Sequence, residues 1–184
     1  MESLFSTHLN HLAEITQHAI SKTQKNPNLT IYLTSDKHYA KVIKNHTRNQ
    51  VKNLERESHC MGSFQTNKNN EIIQADIVIP VDHVFNRGLL VACIVEETTQ
   101  IMGLTNDSDW VNPSIANDAS KQELLTGLDY ILLKLLYSQK MKAGMSFAQS
   151  QAVITKEIKQ FENAGEIKQA HKTVNQSGLY PRIN

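Results

Sequence analysis

No apolar run in this 184-residue sequence is long enough to cross a membrane. The longest, Leu89–Val95, falls far short of the ~20 residues that a spanning helix needs. There is no excess charge of one sign either. Nineteen Lys and Arg against eighteen Asp and Glu leave a net charge of +1, so a phosphate backbone meets no basic field and nucleic acid is not an expected partner. Cysteine is scarce, at two residues, which excludes a cysteine-built zinc site or a dense disulfide framework and leaves room for one bridge. The first residues lack the pattern of a secretion signal: Met1-Glu2-Ser3 opens acidic, and His8, Asn10 and His11 interrupt what would be the apolar segment. The expectation is therefore a cytoplasmic protein, or one whose leader has been removed ahead of Met1. Internal repeats and low-complexity segments are missing too. What is present, 40% apolar and 20% charged residues, is the composition of one ordinary globular domain.

Periodicity then places the elements. Leu4, Phe5, Leu9, Leu12, Ile15, Ala19 and Ile20 recur at helical spacing and predict a helix from about Ser3 to Ser21. Leu29–Thr34, β-branched and aromatic, reads as a strand after the Asn26-Pro27-Asn28 break. Asp36 is placed to cap a helix running to about Glu57, with Tyr39, Val42, Ile43, Val51 and Leu54 on its buried face. Cys60–Gln65 and Glu71–Val81, joined by polar Thr66–Asn70, read as paired strands. Arg87–Met102 is a mostly apolar helix stopped by Gly103. An irregular stretch, Leu104–Lys121, precedes helices at Gln122–Tyr137 and Phe147–Asn163. The expected architecture is α+β: a small mixed sheet packed on a long central helix, a helical C-terminal part, one domain over residues 1–165 and a loose polar tail over 166–184.

The chemistry-bearing segment is Glu96-Glu97-Thr98-Thr99-Gln100-Ile101-Met102-Gly103-Leu104-Thr105-Asn106-Asp107. Residues four apart share a helical face, so Glu96 and Gln100 project together, and Gly103 lets the chain turn Asn106 or Asp107 back toward that face. This spacing is similar to H-E-x-x-H-x-x-G-x-x-H/D of the metzincin zinc peptidases. Glu96 falls on the first ligand, Glu97 on the general base, Gln100 on the second ligand and Asn106 on the third. The spacing is kept and the histidines are not. Pro113-Ser114-Ile115-Ala116-Asn117 resembles the turn beneath a metzincin site, with Ala116 where methionine would stand. Leu125-Thr126-Gly127-Leu128-Asp129 through Tyr137 resembles the helix that follows.

The stretch from about Cys60 to Met145 resembles the bacterial domain-of-unknown-function family 2927. Its hallmarks stand here as Cys93, Glu96–Asp107, Ser114, Leu125–Asp129 and Gly144-Met145-Ser146, with Cys60 and Ile77-Val78-Ile79 upstream. Met102 is a conservative departure from the family's leucine. The first fifty residues match only in the order of their elements. The resemblance implies a zincin-like fold, an extracytoplasmic setting and no known activity. In that setting Cys60 and Cys93 would pair; the alternative is two buried thiols acting as small apolar residues.

Ligand chemistry weighs against zinc at the motif. Glu96, Gln100 and Asn106 offer one carboxylate and two neutral amides, where catalytic zinc takes imidazole, thiolate or carboxylate ligands. With Asp107 they would suit Ca²⁺ or Mg²⁺ better, although calcium wants six to eight oxygens. The competing reading is a hydrogen-bond network in which Gln100 and Asn106 donate to Glu96 or Glu97, with no cofactor, and with Glu97 held protonated by burial and its charged neighbour. His8 and His11, three apart, are compatible with a metal pair but lack a third ligand at readable spacing, and a solvated helix face is expected for them and for His18. His59 and His83 flank strands, and the sequence assigns them no partner. Trp110 either contacts a ligand or folds back to order its loop.

Three functions follow. The first is a non-peptidase, metzincin-like binding or assembly module, periplasmic or secreted, for an unknown protein or small ligand. The second is a hydrolase using Glu97 with an atypical metal. The third is a cytoplasmic helical interaction protein.

Overall fold

A computed structural model describes residues 1–46 and 59–183. The chain runs α1 (Glu2–Thr16), β1 (Leu29–Thr34), α2 (Asp36–His46), β2 (Met61–Thr66), β3 (Ile72–Pro80), α3 (Val81–Asn86), α4 (Leu90–Gln100), a 3₁₀ turn (Asp118–Ser120), α5 (Gly127–Leu136), α6 (Phe147–Asn163), α7 (Glu166–Asn175) and α8 (Tyr180–Ile183). The fold is α+β, with one mixed three-stranded sheet. β3 is central; β1 pairs with it in parallel, Ile31 opposite Ile77, and β2 antiparallel, Gly62 opposite Ile77.

Alternation along β3 divides the core into layers, because successive side chains point to opposite faces. Val78, with Met61, faces α2 and meets Tyr39 and Ile43. Ala75, Ile77 and Ile79 face the other way, into a cluster with Phe5 of α1 and Cys93, Ile94 and Ile101 of the α4 segment. Behind α4 a second cluster joins Leu12, Ile15, Val95, Leu125, Leu133, Val174 and Leu179. α4 thus has apolar neighbours on opposite sides, which is why the run before Glu96 is apolar almost without interruption. A disulfide between Cys60 and Cys93, Cα atoms 5.9 Å apart, ties the entry of β2 to α4.

The strands and α6 lie where periodicity predicts them; other elements are shorter or additional. The central helix begins at Leu90 rather than Arg87, because Gly88 takes φ +73° and breaks the chain between α3 and α4. α1 ends at Thr16, where Gln17 turns left-handed at φ 55°, and the apolar residues Ala19 and Ile20 lie beyond it. α5 starts late because Thr126 and Asp129 form a capping box: the Thr126 side chain accepts from the Asp129 N–H, and the Asp129 carboxylate from the Thr126 N–H. Of the helix expected to reach Glu57, the part from 47 onward, with Val51 and Leu54, lies outside the described residues. The stretch after Gly165 is not loose: it forms α7 and α8, and Ala170, Val174 and Leu179 are buried. Polar residues on its outer face mask an apolar stripe at Ile167, Ala170 and Val174, which only a partner surface reveals.

Candidate functional site

α4 carries the motif, and helical spacing sends its two glutamates different ways. Glu96 stays half-buried on the side of Gln100, while Glu97 turns inward to 4% exposure. Its carboxyl lies against β2, where Gly62 donates its backbone N–H to it. A Cβ on residue 62 would stand only 2.6 Å from Glu97 Oε2, so the carboxyl fits because position 62 is glycine. Burial raises the Glu97 pKa to about 8; the charges of Glu96 and Asp107 push the same way, and the Gly62 hydrogen bond pulls against them. The group is therefore largely a neutral acid at neutral pH.

Gln100 reaches both ways along the surface. Its amide donates over 3.4 Å to Glu96 Oε1 and over 3.5 Å to Asp107 Oδ1, so the turn after Gly103 (φ +112°) is tied back to the helix. The residue Gln100 meets is Asp107, and Asn106 is exposed. With its amide nitrogen turned to these two carboxylates, Gln100 acts as a hydrogen-bond donor between them. Among the described residues, no group of three or more His, Cys, Asp or Glu is arranged to hold a metal ion.

Beneath the turn, Ser114 and Asp129 form a closed polar cluster. Ser114 Oγ donates to Asp129 Oδ1 over 2.5 Å and accepts from the Ala116 N–H at 3.0 Å. Asp129 Oδ2 accepts the N–H of Ile115 at 3.3 Å and of Thr126 at 2.7 Å. Both residues are completely buried, so this carboxylate and hydroxyl hold the Pro113–Ala116 turn on the start of α5. Trp110, in the same loop, is 95% exposed: it is not folded back on the core.

His8 and His11 overturn the expectation of a solvated face. Both are buried, and His8 Nε2 lies 3.4 Å from Thr99 Oγ1 on α4. Burial drives the His8 pKa down to about 3, with the neighbouring His11 pushing the same way, and burial lowers that of His11 against the pull of Glu14. His11 packs onto Gly178, where a Cβ would come within 2.2 Å of its Nδ1. Gly178 sits in the C-terminal segment, so the sequence places no signal beside His8 and His11 for what covers them.

A large open space lies elsewhere, between the sheet, α1 and the turn after α4. A groove of about 1300 Å³ runs between Phe5 and Leu9 of α1, Phe64, Ile73 and Ala75 of the sheet, and the Ile101–Gly103 turn. Tyr137 and Met145 line its far side, and the lining is mainly apolar. The Tyr137 hydroxyl donates to the Met102 carbonyl over 2.9 Å and fixes that wall. Sequence reasoning did not find the groove, nor the role of Gly62; a glycine inside a strand, marking close approach by another group, was the available signal for the latter.

Residues 1–156 match the family described as a protein of unknown function, DUF2927. No curated protein and no solved structure matches the chain.

Proposed function

The chain belongs to the DUF2927 family, and from that premise we propose that it is a binding module without peptidase activity, taking an apolar ligand of small-molecule size in the groove. The observation that carries this reading is the contrast between the groove and the motif. The groove offers about 1300 Å³ bounded by Phe64, Ile73, Tyr137 and Met145, ample for a ligand that apolar walls and a few polar groups would hold. Glu97 sits buried on a backbone N–H, protonated at neutral pH, and is poorly placed to take a proton from water. The hydrolase reading with an atypical metal therefore stands second.

We read the fold as zincin-like and the setting as extracytoplasmic. The first is supported by α4 behind a mixed sheet, the Gly103 turn and the Ser114 turn after it. The second is supported by the Cys60–Cys93 bridge, since such bridges persist in oxidising compartments. Titration with the apolar dye anilinonaphthalene sulfonate tests the binding site. Saturable binding to the native protein is expected, and its loss in Phe64→Glu and Ile73→Glu, whose side chains are half-exposed and tolerate charge. Unsaturable binding indifferent to both changes overturns the groove. Stoichiometric zinc, with chelator-sensitive peptide cleavage lost in Glu97→Gln, promotes the hydrolase.

A further inference from the structure

Away from both the motif and the groove, four polar residues converge where β1 and β3 end. His59 Nδ1 and His83 Nε2 face each other across 2.9 Å. The other nitrogen of His83, Nδ1, lies 3.4 Å from Asp36 Oδ1. Asp82 Oδ1 accepts the backbone N–H groups of Asp36 at 2.7 Å and of His83 at 3.1 Å, locking the start of α2 to α3. Cys60, next in sequence to His59, is tied to α4 by the disulfide, which holds His59 beside α3.

We propose that His59 and His83 form a binding site for one imidazole-favouring divalent transition ion of the copper, nickel or zinc type, with water completing its shell. The two rings already bring His59 Nδ1 and His83 Nε2 together in a hydrogen bond; in neutral rings one of these nitrogens carries the proton, and moving that proton to the other nitrogen of its own ring frees the second lone pair for an ion. An ion bound by both at ~2.0–2.1 Å would set the nitrogens about 2.9 Å apart in square-planar geometry and about 3.3 Å apart in tetrahedral geometry. The first spacing is the one present. Asp36 Oδ1 lies on the Nδ1 side of His83, 3.4 Å away, so its charge favours the proton on Nδ1 and a free lone pair on Nε2. His83 is mostly shielded and His59 exposed, so the ion has a wall on one side and solvent on the other. Oxygen-seeking Ca²⁺ and Mg²⁺ find no advantage in two imidazoles.

The test is calorimetric titration of the full untagged chain with Cu²⁺, Zn²⁺ and Ca²⁺ at neutral pH. One Cu²⁺ per chain is expected, with Zn²⁺ weaker and Ca²⁺ unbound. His59→Ala and His83→Ala are each expected to weaken Cu²⁺ by about 100-fold or more, and Asp36→Asn by roughly 10-fold. His18→Ala, at an exposed histidine outside the cluster, leaves binding unchanged. Since His59 is exposed, its variant folds even where His83→Ala does not, so His59→Ala alone decides the case. Absence of Cu²⁺ binding, binding indifferent to His59→Ala, or binding removed by His18→Ala overturns the proposal.

Discussion

Glu97 and His8 are titratable groups buried on opposite sides of α4, and their displaced pKa values set opposite demands on pH. For Glu97 the folded value, about 8, lies above its ordinary 4.5. The native state therefore holds the proton longer than the unfolded chain, and this contribution is complete below about 4.5 and lost as pH rises through about 8. For His8 the folded value, about 3, lies below 6.5, so its contribution is complete above 6.5 and lost as pH falls toward 3. Above pH 6.5 His8 is neutral in both states, leaving Glu97 to act without it. The native protein is expected to lose roughly 1–2 kcal/mol from this group between pH 6.5 and 8. Urea midpoints of the native protein and of Glu97→Gln, measured at both pH values, check this: the native midpoint falls relative to that of the variant. A constant difference between them would show the carboxyl already ionised. Glu97→Ala, which strands the Gly62 N–H, is expected to lower stability by about 1–3 kcal/mol at pH 6.5 and by less at pH 8, where the native protein has lost part of this contribution. Below pH 6.5 the comparison is His8→Leu, whose stability is expected to fall less on acidification than that of the native protein. The spacing of E-E-x-x-Q made the divergence of Glu96 and Glu97 legible. What lay against each was not, because Gly62 and Thr99 become neighbours of Glu97 and His8 only through tertiary packing.

Elements were legible in proportion to how local their causes are. β1 is a β-branched run between turn residues, and α6 starts at a Ser146–Gln149 capping box written in adjacent positions. α4 and α1 were overestimated at ends where backbone conformation, at Gly88 and Gln17, overrides an apolar pattern that continues past it. α7 was missed because its stripe is short and its outer face polar. The start of α5 depends on a longer-range cause, the buried Asp129 that serves both the cap and the Ser114 turn. Asp129→Ala would leave the Ser114 hydroxyl and the N–H groups of Ile115 and Thr126 without this acceptor in the interior. A loss of about 3 kcal/mol or more is expected, read as a lowered urea midpoint. The same change is expected to increase amide hydrogen exchange over residues 113–116, because the carboxylate is what fastens that turn. Thr126→Ala, which leaves the carboxylate in place, is expected to cost only about 1 kcal/mol.

At the scale of the whole molecule, the sheet layer and the helical layer meet at α4, and the disulfide is the covalent tie between them. Cys60 precedes β2, Cys93 lies on α4, and the 33 residues of separation between them span β2, β3 and α3. Closing a loop of that length restricts the unfolded chain and is expected to stabilise the native state by about 3–4 kcal/mol in the chain-entropy description. For a domain of this size that corresponds to a fall in melting temperature on the order of 10 °C on reduction. The pairing itself was inferred from family resemblance, whereas the groove, assembled from α1, the sheet, the Ile101–Gly103 turn and Tyr137, had no counterpart in any single stretch of sequence. The two are separable by experiment. Cys60 and Cys93 lie in the core beneath α4, outside the groove lining, so the Cys60→Ser/Cys93→Ser double variant is expected to melt lower yet keep dye binding at temperatures below its transition. Mass spectrometry of the unreduced native protein should show no free thiol. Two free thiols after aerobic purification would remove the bridge and, with it, the support for an extracytoplasmic setting. Loss of dye binding in a variant that is still folded would show that the groove's shape depends on the tie, through the Ile101 turn that both share.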